Sequence, residues 1–334
     1  MKKSYYLFNP GRLSRKDNTL RFVPVDAEGK EGPAKYLPIT GIKNLYCFGS
    51  LDANSAMYNF LGKNQIPVHF FDYYDHYTGS FMPKDFLLSG KVLIEQVKCY
   101  TSGKRRMEIA KLFVDGAAAN MLRNLKYYQN RERDVSEQIA MIENYNLDKE
   151  QAGKIDELMG WEGNMRMVYY SAFEKIIPDF EMGNRIKQPP SNEINALISF
   201  TNMMCYTLCL DAIYHTQLDP TISYLHEPGY RRYSLALDIS EIFKPILVDR
   251  LIFSLLNKKI LSEKDFDKKL NYCLLNDSGR KKVLRSWEER LEQTIKHRKL
   301  NKNVSYKHLV KLEVYKLIKH IMKIEPYQPF KAWW

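Results

Sequence analysis

The rhythm of apolar and polar positions changes close to Met82-Pro83. Before that point the chain reads in short runs of strand length. Tyr5-Tyr6-Leu7-Phe8 precedes a turn at Asn9-Pro10-Gly11-Arg12, and Thr19-Leu20-Arg21-Phe22-Val23 alternates. Ile42–Phe48 and Val68-His69-Phe70-Phe71 are further strand candidates. Between them, Asp52–Gly62 predicts a short helix with Ala53, Ala56, Met57 and Phe60 on one side, suited to packing on a sheet.

From about residue 92 the apolar spacing becomes helical, as in Ile109, Leu112, Phe113 and Ala117. Helices are expected over 104–127, 133–145, 153–177, 192–216, 236–257, 264–275, 280–297 and 304–323. The expected fold class is α+β, with a small β-rich domain over 1–85 and a large all-α domain over 86–334. The chain of 334 residues is long enough for two such cores.

Charge adds a partner class. There are 51 Lys plus Arg against 39 Asp plus Glu, a formal +12, which suits a polyanion without proving one. Basic clusters at Arg105-Arg106, Arg231-Arg232, Arg280-Lys281-Lys282 with Arg285, and Lys296–Lys302 are candidate phosphate contacts. The five cysteines include no CxxC pair, and Cys205 and Cys209 lie one helical turn apart as small core residues. This usage fits a reducing cytoplasm. The start of the chain breaks into polar residues too early for a signal peptide, and no uninterrupted membrane span is expected.

The candidate chemistry lies in the second part. On a helix over 153–177, Leu158, Glu162, Met165 and Tyr169 share one stripe. A carboxylate there either sits at the stripe's edge, finds an arginine partner, or coordinates a cation. Asp238, Glu241 and Lys244 recur at one-turn intervals, with Ile239, Phe243 and Ile246 on the adjacent apolar side. Asp238 and Glu241 equally suit the start of a helix. Asp249 and Arg250 could form a structural ion pair. His226 stands in a loop just before this helix, placed to ligate. Mixed nitrogen and oxygen donors suit Mn2+ and tolerate Mg2+, and the absence of cysteine argues against closed zinc. Asn195, Ser199 and Asn202 follow one another by turns, fit either for helix–helix hydrogen bonds or for orienting a ligand.

These residues sit in blocks that resemble the CRISPR-associated adaptation integrase family. The blocks are LMGWEGNMRMVY (158–169), RIKQPPSNEINALISF (185–200), LDPTISYLH (218–226) and SLALDISEIFKPILVDR (234–250). IAKLFVDGAAAN and the closing YKHLVKLEVYKLIKHI and YQPFKAWW are also similar, so the likeness spans nearly the whole chain. The resemblance implies metal ligation by Glu162, His226 and Glu241, with Mg2+ or Mn2+ as cofactor. It implies a supporting acidic position at Asp238, a phosphate-facing cation at Lys244 and the family's Asn at Asn195. The third ligand is often Asp where this chain has Glu241, and both occur in the family.

The same resemblance implies a homodimer formed through the β domain. Two such dimers would flank a central dimer of a small ferredoxin-fold partner, a heterohexamer that carries double-stranded DNA to CRISPR repeat DNA. The expected chemistry is metal-assisted transesterification, in which a 3′-hydroxyl of the incoming duplex attacks the repeat. Two rivals remain at this stage: a metal-dependent nuclease hydrolysing branched or single-stranded nucleic acid, and a non-catalytic DNA-binding assembly subunit. The terminal Trp333-Trp334 is expected to pack the chain end.

Overall fold

Alternate positions are buried over Gly11–Lys16 and Thr19–Pro24, whereas Ile42–Cys47 and Val68–Phe71 are buried almost throughout, and two four-stranded sheets result. The computed structural model describes residues 2–84, 87–186, 189–230, 232–269 and 272–333. It divides into two compact units, Met1–Phe86 and Leu87–Trp334. The architecture is α+β, with the strand-rich region first and the helical region after it.

In the first unit, β1 (Lys3–Leu7), β5 (Ile42–Cys47), β7 (Val68–Phe71) and β8 (Tyr77–Phe81) form one sheet in that spatial order. β1, β5 and β7 run parallel, and β8 returns antiparallel to β7. The second sheet has the order β4 (Lys35–Pro38), β3 (Thr19–Pro24), β2 (Gly11–Lys16) and β6 (Leu51–Asp52). Leu13, Leu20, Phe22, Ile42, Leu45 and Val68 meet in one apolar core with Met57, Phe60 and Leu61 of α1 (Ser55–Lys63). Asn54 caps that helix by accepting from Met57 N, so it begins later than the apolar pattern implies and Asp52 belongs to a strand. Ala56, expected on the packed side, is exposed; Leu61 takes that place.

The second unit is built from α2 (Gly90–Thr101), α3 (Gly103–Gln129), α4 (Ser136–Asp148), α5 (Ile155–Ser171), α6 (Phe173–Ile176) and α7 (Glu193–Tyr214). These are followed by α8 (Ser234–Phe243), α9 (Arg250–Asn257), α10 (Asp277–Glu292) and α11 (Tyr306–Ile321). Helix α7 is long and apolar enough to cross a membrane by length and composition, contrary to expectation, but 83% of its apolar window is buried inside the fold. It is the central core helix.

Two sequence expectations fail here for a common reason. Residues 264–275, expected as helix, contain the antiparallel hairpin β9 (Phe266–Lys269) and β10 (Tyr272–Leu275); Leu270 and Asn271 lie outside the described residues. Cys273 and Leu275 are buried on alternate positions, and Cys273 N donates to Pro190 O. A short apolar run has no period of its own, and tertiary pairing chose the strand. Likewise α10 stops at Glu292, and Thr294–His297 pairs with Lys302–Ser305 as the β11–β12 hairpin.

Residues 236–257 form no continuous α-helix. Pro245 lacks an N–H, so the ladder after α8 cannot close normally, and Lys244–Asp249 widens into a π-helical turn. Buried side chains collect carbonyls along this stretch. Asn120 donates to Ile242 O at 2.8 Å, Asn124 to Pro245 O at 2.6 Å, and Arg290 Nε to Ile246 O at 2.9 Å. The wide turn begins at Lys244, three residues after Glu241, and so shapes the charged cluster beside it.

Candidate catalytic centre

Helix α5 presents the expected stripe. Leu158, Met165 and Tyr169 are fully buried, while Glu162 sits at the edge with 13% of its side chain exposed. One turn later, Arg166 reaches back to Glu162, with Nη2 3.2 Å from Oε1. The same Nη2 donates to Glu241 Oε2 on α8, so one guanidinium group bridges the two carboxylates. Lys244 donates to the other oxygen of Glu241. Burial alone would raise the Glu241 pKa, but Lys244, Arg166 and His226 outweigh it and hold the carboxyl down to about 2. Burial would likewise strip the proton from Lys244, and Glu241 reverses that shift.

His226 is fixed by Asp238, which is completely buried on α8. Asp238 Oδ1 accepts from His226 N at 2.9 Å and stands 2.8 Å from His226 Nδ1. Its Oδ2 accepts from Tyr224 N at 2.7 Å and Leu225 N at 3.0 Å. Four N–H groups therefore occupy this carboxylate, which positions the loop and leaves Nε2 as the imidazole nitrogen available to a ligand. Burial lowers the His226 pKa, but the hydrogen bond and charge of Asp238 reverse this and leave it raised.

Among the described residues, Asn195 makes no hydrogen bond to Glu162 or Glu241. It lies buried near the start of α7, accepts from Arg185 Nη1 at 2.9 Å and Ile186 N at 3.1 Å, and donates to Asn184 O at 3.0 Å. Arg185 Nη2 also reaches Ser199 Oγ at 3.0 Å. Asn195 and Ser199 thus pin the loop that carries Arg185. The expected Asp249–Arg250 ion pair is not formed. Asp249 points inward, where burial pushes its pKa up to about 7 against the influence of Arg166 and a Tyr169 hydrogen bond. Arg250 instead lies 5.2 Å over the Tyr127 ring.

Among the described residues, no group of three His, Cys, Asp or Glu side chains is preassembled to hold a metal ion. The donor types nevertheless fit a hard divalent cation: two carboxylates already converge on positive charge, beside an imidazole whose inner nitrogen is held by a carboxylate. Arg166 occupies the position between the acids that such an ion would have to share or take over. Sequence reading missed this arginine as a particular partner, although its spacing four residues after Glu162 was visible.

Most of the basic clusters singled out by sequence are engaged internally. Arg105 donates to Ile321 O and Arg106 to Tyr224 O and Glu227. Arg280, Lys282 and Arg285 pair with Asp277, Asp265 and Glu289, and Lys299 with Glu325. Arg232 donates to Glu227 O; Arg231 lies outside the described residues. Trp333 packs 5.9 Å from Phe330, as expected of a chain end, and Trp334 is outside the described residues.

A strand-rich unit followed by a helical unit with this acidic, histidine and basic cluster defines a protein of the adaptation-integrase fold. The chain belongs to the family of CRISPR associated protein Cas1, which residues 5–289 match. It is 47% identical over 333 residues to CRISPR-associated endonuclease Cas1 3 of Thermodesulfovibrio yellowstonii, covering 99% of this chain and 100% of the relative. It is 48% identical to CRISPR-associated protein Cas1 1 of Methanobrevibacter ruminantium, covering 100% and 99%. The solved structure of a Cas1 protein from Thermotoga maritima superposes with a TM-score of 0.86 at 37% identity, covering 97% of this chain and 98% of that one.

Proposed function

We propose that this protein is a metal-dependent DNA endonuclease and integrase of CRISPR spacer acquisition. It joins 3′-hydroxyl ends of a captured duplex to repeat DNA by transesterification. The observation that carries this reading is the convergence of Glu162 and Glu241 on Arg166, with Lys244 beside them and an oriented His226 at the same cluster. The relatives named as Cas1 endonucleases support the same activity class.

Glu162, His226 through Nε2, and Glu241 would hold Mg2+ or Mn2+, which when bound supplies Lewis acidity to a phosphodiester. Asp238 fixes the imidazole from behind and makes no contact with substrate, so it is a positioning residue. Lys244 neutralises Glu241 and offers remaining ammonium hydrogens to a phosphate. Arg166 holds the two carboxylates together through Nη2, while its Nη1 is buried with no hydrogen-bond partner among the described residues. Asn195 supports the loop through Arg185 rather than acting on substrate. The nucleophile is a DNA hydroxyl, so no protein side chain forms a covalent intermediate.

The domain roles follow from the same reading. Residues 1–85 would pair two copies of the chain and 86–334 would carry the chemistry, with a small ferredoxin-fold partner completing a heterohexamer in the cytoplasm. The test is a strand-transfer assay with labelled short duplexes and a repeat-bearing supercoiled plasmid, with and without that partner. Label joined to plasmid only with Mn2+ or Mg2+, and lost in Glu241→Ala and Glu162→Ala, is the expected result. Nicking without joining would replace this reading with a hydrolytic nuclease. Binding without either reaction, partner included, would leave an assembly subunit.

A further inference from the structure

Two side chains from distant helices hold the backbone of the loop that carries His226. Between α7 and α8 the described residues form no helix or strand, so the peptide groups there have no ladder to satisfy them. Ser223, Tyr224 and Leu225 are nevertheless fully buried. Asp238 accepts from the N–H groups of Tyr224, Leu225 and His226 and so secures one side of the loop. The carbonyl side is secured from α2 and α3.

Gln96 of α2 is completely buried. Its Nε2 donates to Asp219 O at 2.9 Å and to Ile222 O at 3.0 Å, and its Oε1 accepts from Asp219 N at 3.0 Å. Both amide hydrogens and the amide oxygen are thus engaged by this one loop. Arg106 of α3 takes the next stretch. Its Nε donates to Tyr224 O at 3.0 Å, and its Nη2 donates to Glu227 Oε2. The guanidinium group lies 4.4 Å over the Tyr100 ring, and Tyr100 Oη donates to the other oxygen of Glu227 at 2.6 Å. Arg106 therefore grips the loop on both sides of His226. The Glu227 side chain is 62% exposed, so that ion pair adds little by itself. The inner bond matters more: the peptide group joining Tyr224 to Leu225 is held at both poles, its oxygen by Arg106 and its N–H by Asp238.

We propose that Gln96 and Arg106 are positioning residues for the ligand histidine, setting where His226 Nε2 stands relative to Glu162 and Glu241. Asp238 orients the ring through its inner nitrogen, but the place of the ring follows the path of the backbone. A metal site needs its donors held within about 0.5 Å. Neither Gln96 nor Arg106 makes a hydrogen bond to Glu162 or Glu241 among the described residues, so each acts through the loop. The inference rests on the reading of His226 as a metal ligand.

The test measures Mn2+ affinity of the full chain by electron paramagnetic resonance, for the unsubstituted protein, His226→Ala, Gln96→Leu and Arg106→Lys. Lysine keeps the charge but has a single nitrogen, which cannot serve Tyr224 O and Glu227 with the same geometry. Gln96→Leu and Arg106→Lys should each bind Mn2+ roughly tenfold more weakly, and strand transfer should recover as Mn2+ is raised. Amide exchange in the metal-free protein should quicken in peptides covering 219–227. A lower melting temperature with Mn2+ affinity intact would show a merely structural role and overturn the proposal. Unchanged exchange in the loop would do the same. Weaker duplex binding by Arg106→Lys in excess chelator, with Mn2+ affinity intact, would make Arg106 a phosphate contact and also overturn it. If His226→Ala binds Mn2+ as tightly as the unsubstituted chain, the ligand reading falls first and the positioning role with it. Arg106→Lys is the milder change and decides the question should Gln96→Leu fail to fold.

Discussion

Asp238 Oδ1 holds His226 twice, through its backbone N–H at 2.9 Å and its ring Nδ1 at 2.8 Å. One oxygen of a buried carboxylate therefore sets both the path of the loop and the orientation of the imidazole. Asp238→Asn removes acceptor capacity facing four N–H groups and frees the ring to choose the other tautomer. Mn2+ affinity, followed by electron paramagnetic resonance, should fall about 10- to 100-fold. Unchanged affinity would show that His226 needs no positioning from Asp238.

Arg166 is the internal counter-ion of the two acids. Arg166→Gln leaves Glu162 and Glu241 facing each other with Lys244 and His226 for compensation. The metal-free protein should lose about 3 kcal/mol of stability, the cost of stranding a partly buried charge. Added Mn2+ should then raise the melting temperature by more than it does in the unsubstituted protein, because no arginine competes for the carboxylates. An equal metal-induced shift in both proteins would show that Arg166 and the ion do not share the site.

Asp249 gives a pH signature. Its pKa rises from the ordinary 3.8 to about 7 on folding, because burial penalises the charged form. The folded state then binds the proton more tightly than the unfolded chain, so this residue's contribution to stability declines as pH rises from about 4 to about 7. Asp249→Asn removes the titration. Its stabilising effect should be larger at about pH 8 than at about pH 5 in denaturant melts, and a pH-independent effect would contradict a buried titrating group.

Gly116 of α3 packs where a side chain has no room. A Cβ there would come 2.9 Å from Pro329 Cβ and 3.2 Å from Ile242 Cγ1. Alanine gains about 1 kcal/mol of helix propensity, yet the overpacking costs about 1–3 kcal/mol. Gly116→Ala should lower the melting temperature and speed amide exchange in residues 327–333. No change in that segment's exchange would mean the tail is held elsewhere, for instance by Glu313, which accepts from Tyr327 and Phe330.

The order of elements was legible where periodicity ran long. The strand at Val68–Phe71 and the helices α3, α7 and α11 appear nearly where the apolar spacing puts them. The hairpin over 266–275 was not legible, because a short apolar run fits a strand or a helix equally and only its neighbour at Pro190 selects between them. The π turn was foreshadowed by Pro245, yet its satisfaction by Asn120, Asn124 and Arg290 joins residues more than forty positions apart.

For the candidate centre, the sequence by itself determined the chemical vocabulary: carboxylates at Glu162 and Glu241 on apolar-striped helices, an imidazole at His226 and a basic chain around them. Local spacing also allowed Glu162 an arginine partner. Only the tertiary structure decided that Arg166 would serve both acids, that Asp238 would turn inward to orient His226, and that Asp249 and Arg250 would part company. The physical reason is that helical periodicity fixes which face a side chain occupies. Charge pairing, desolvation and hydrogen-bond satisfaction depend on which other face packs against it, and packing between distant segments sets that.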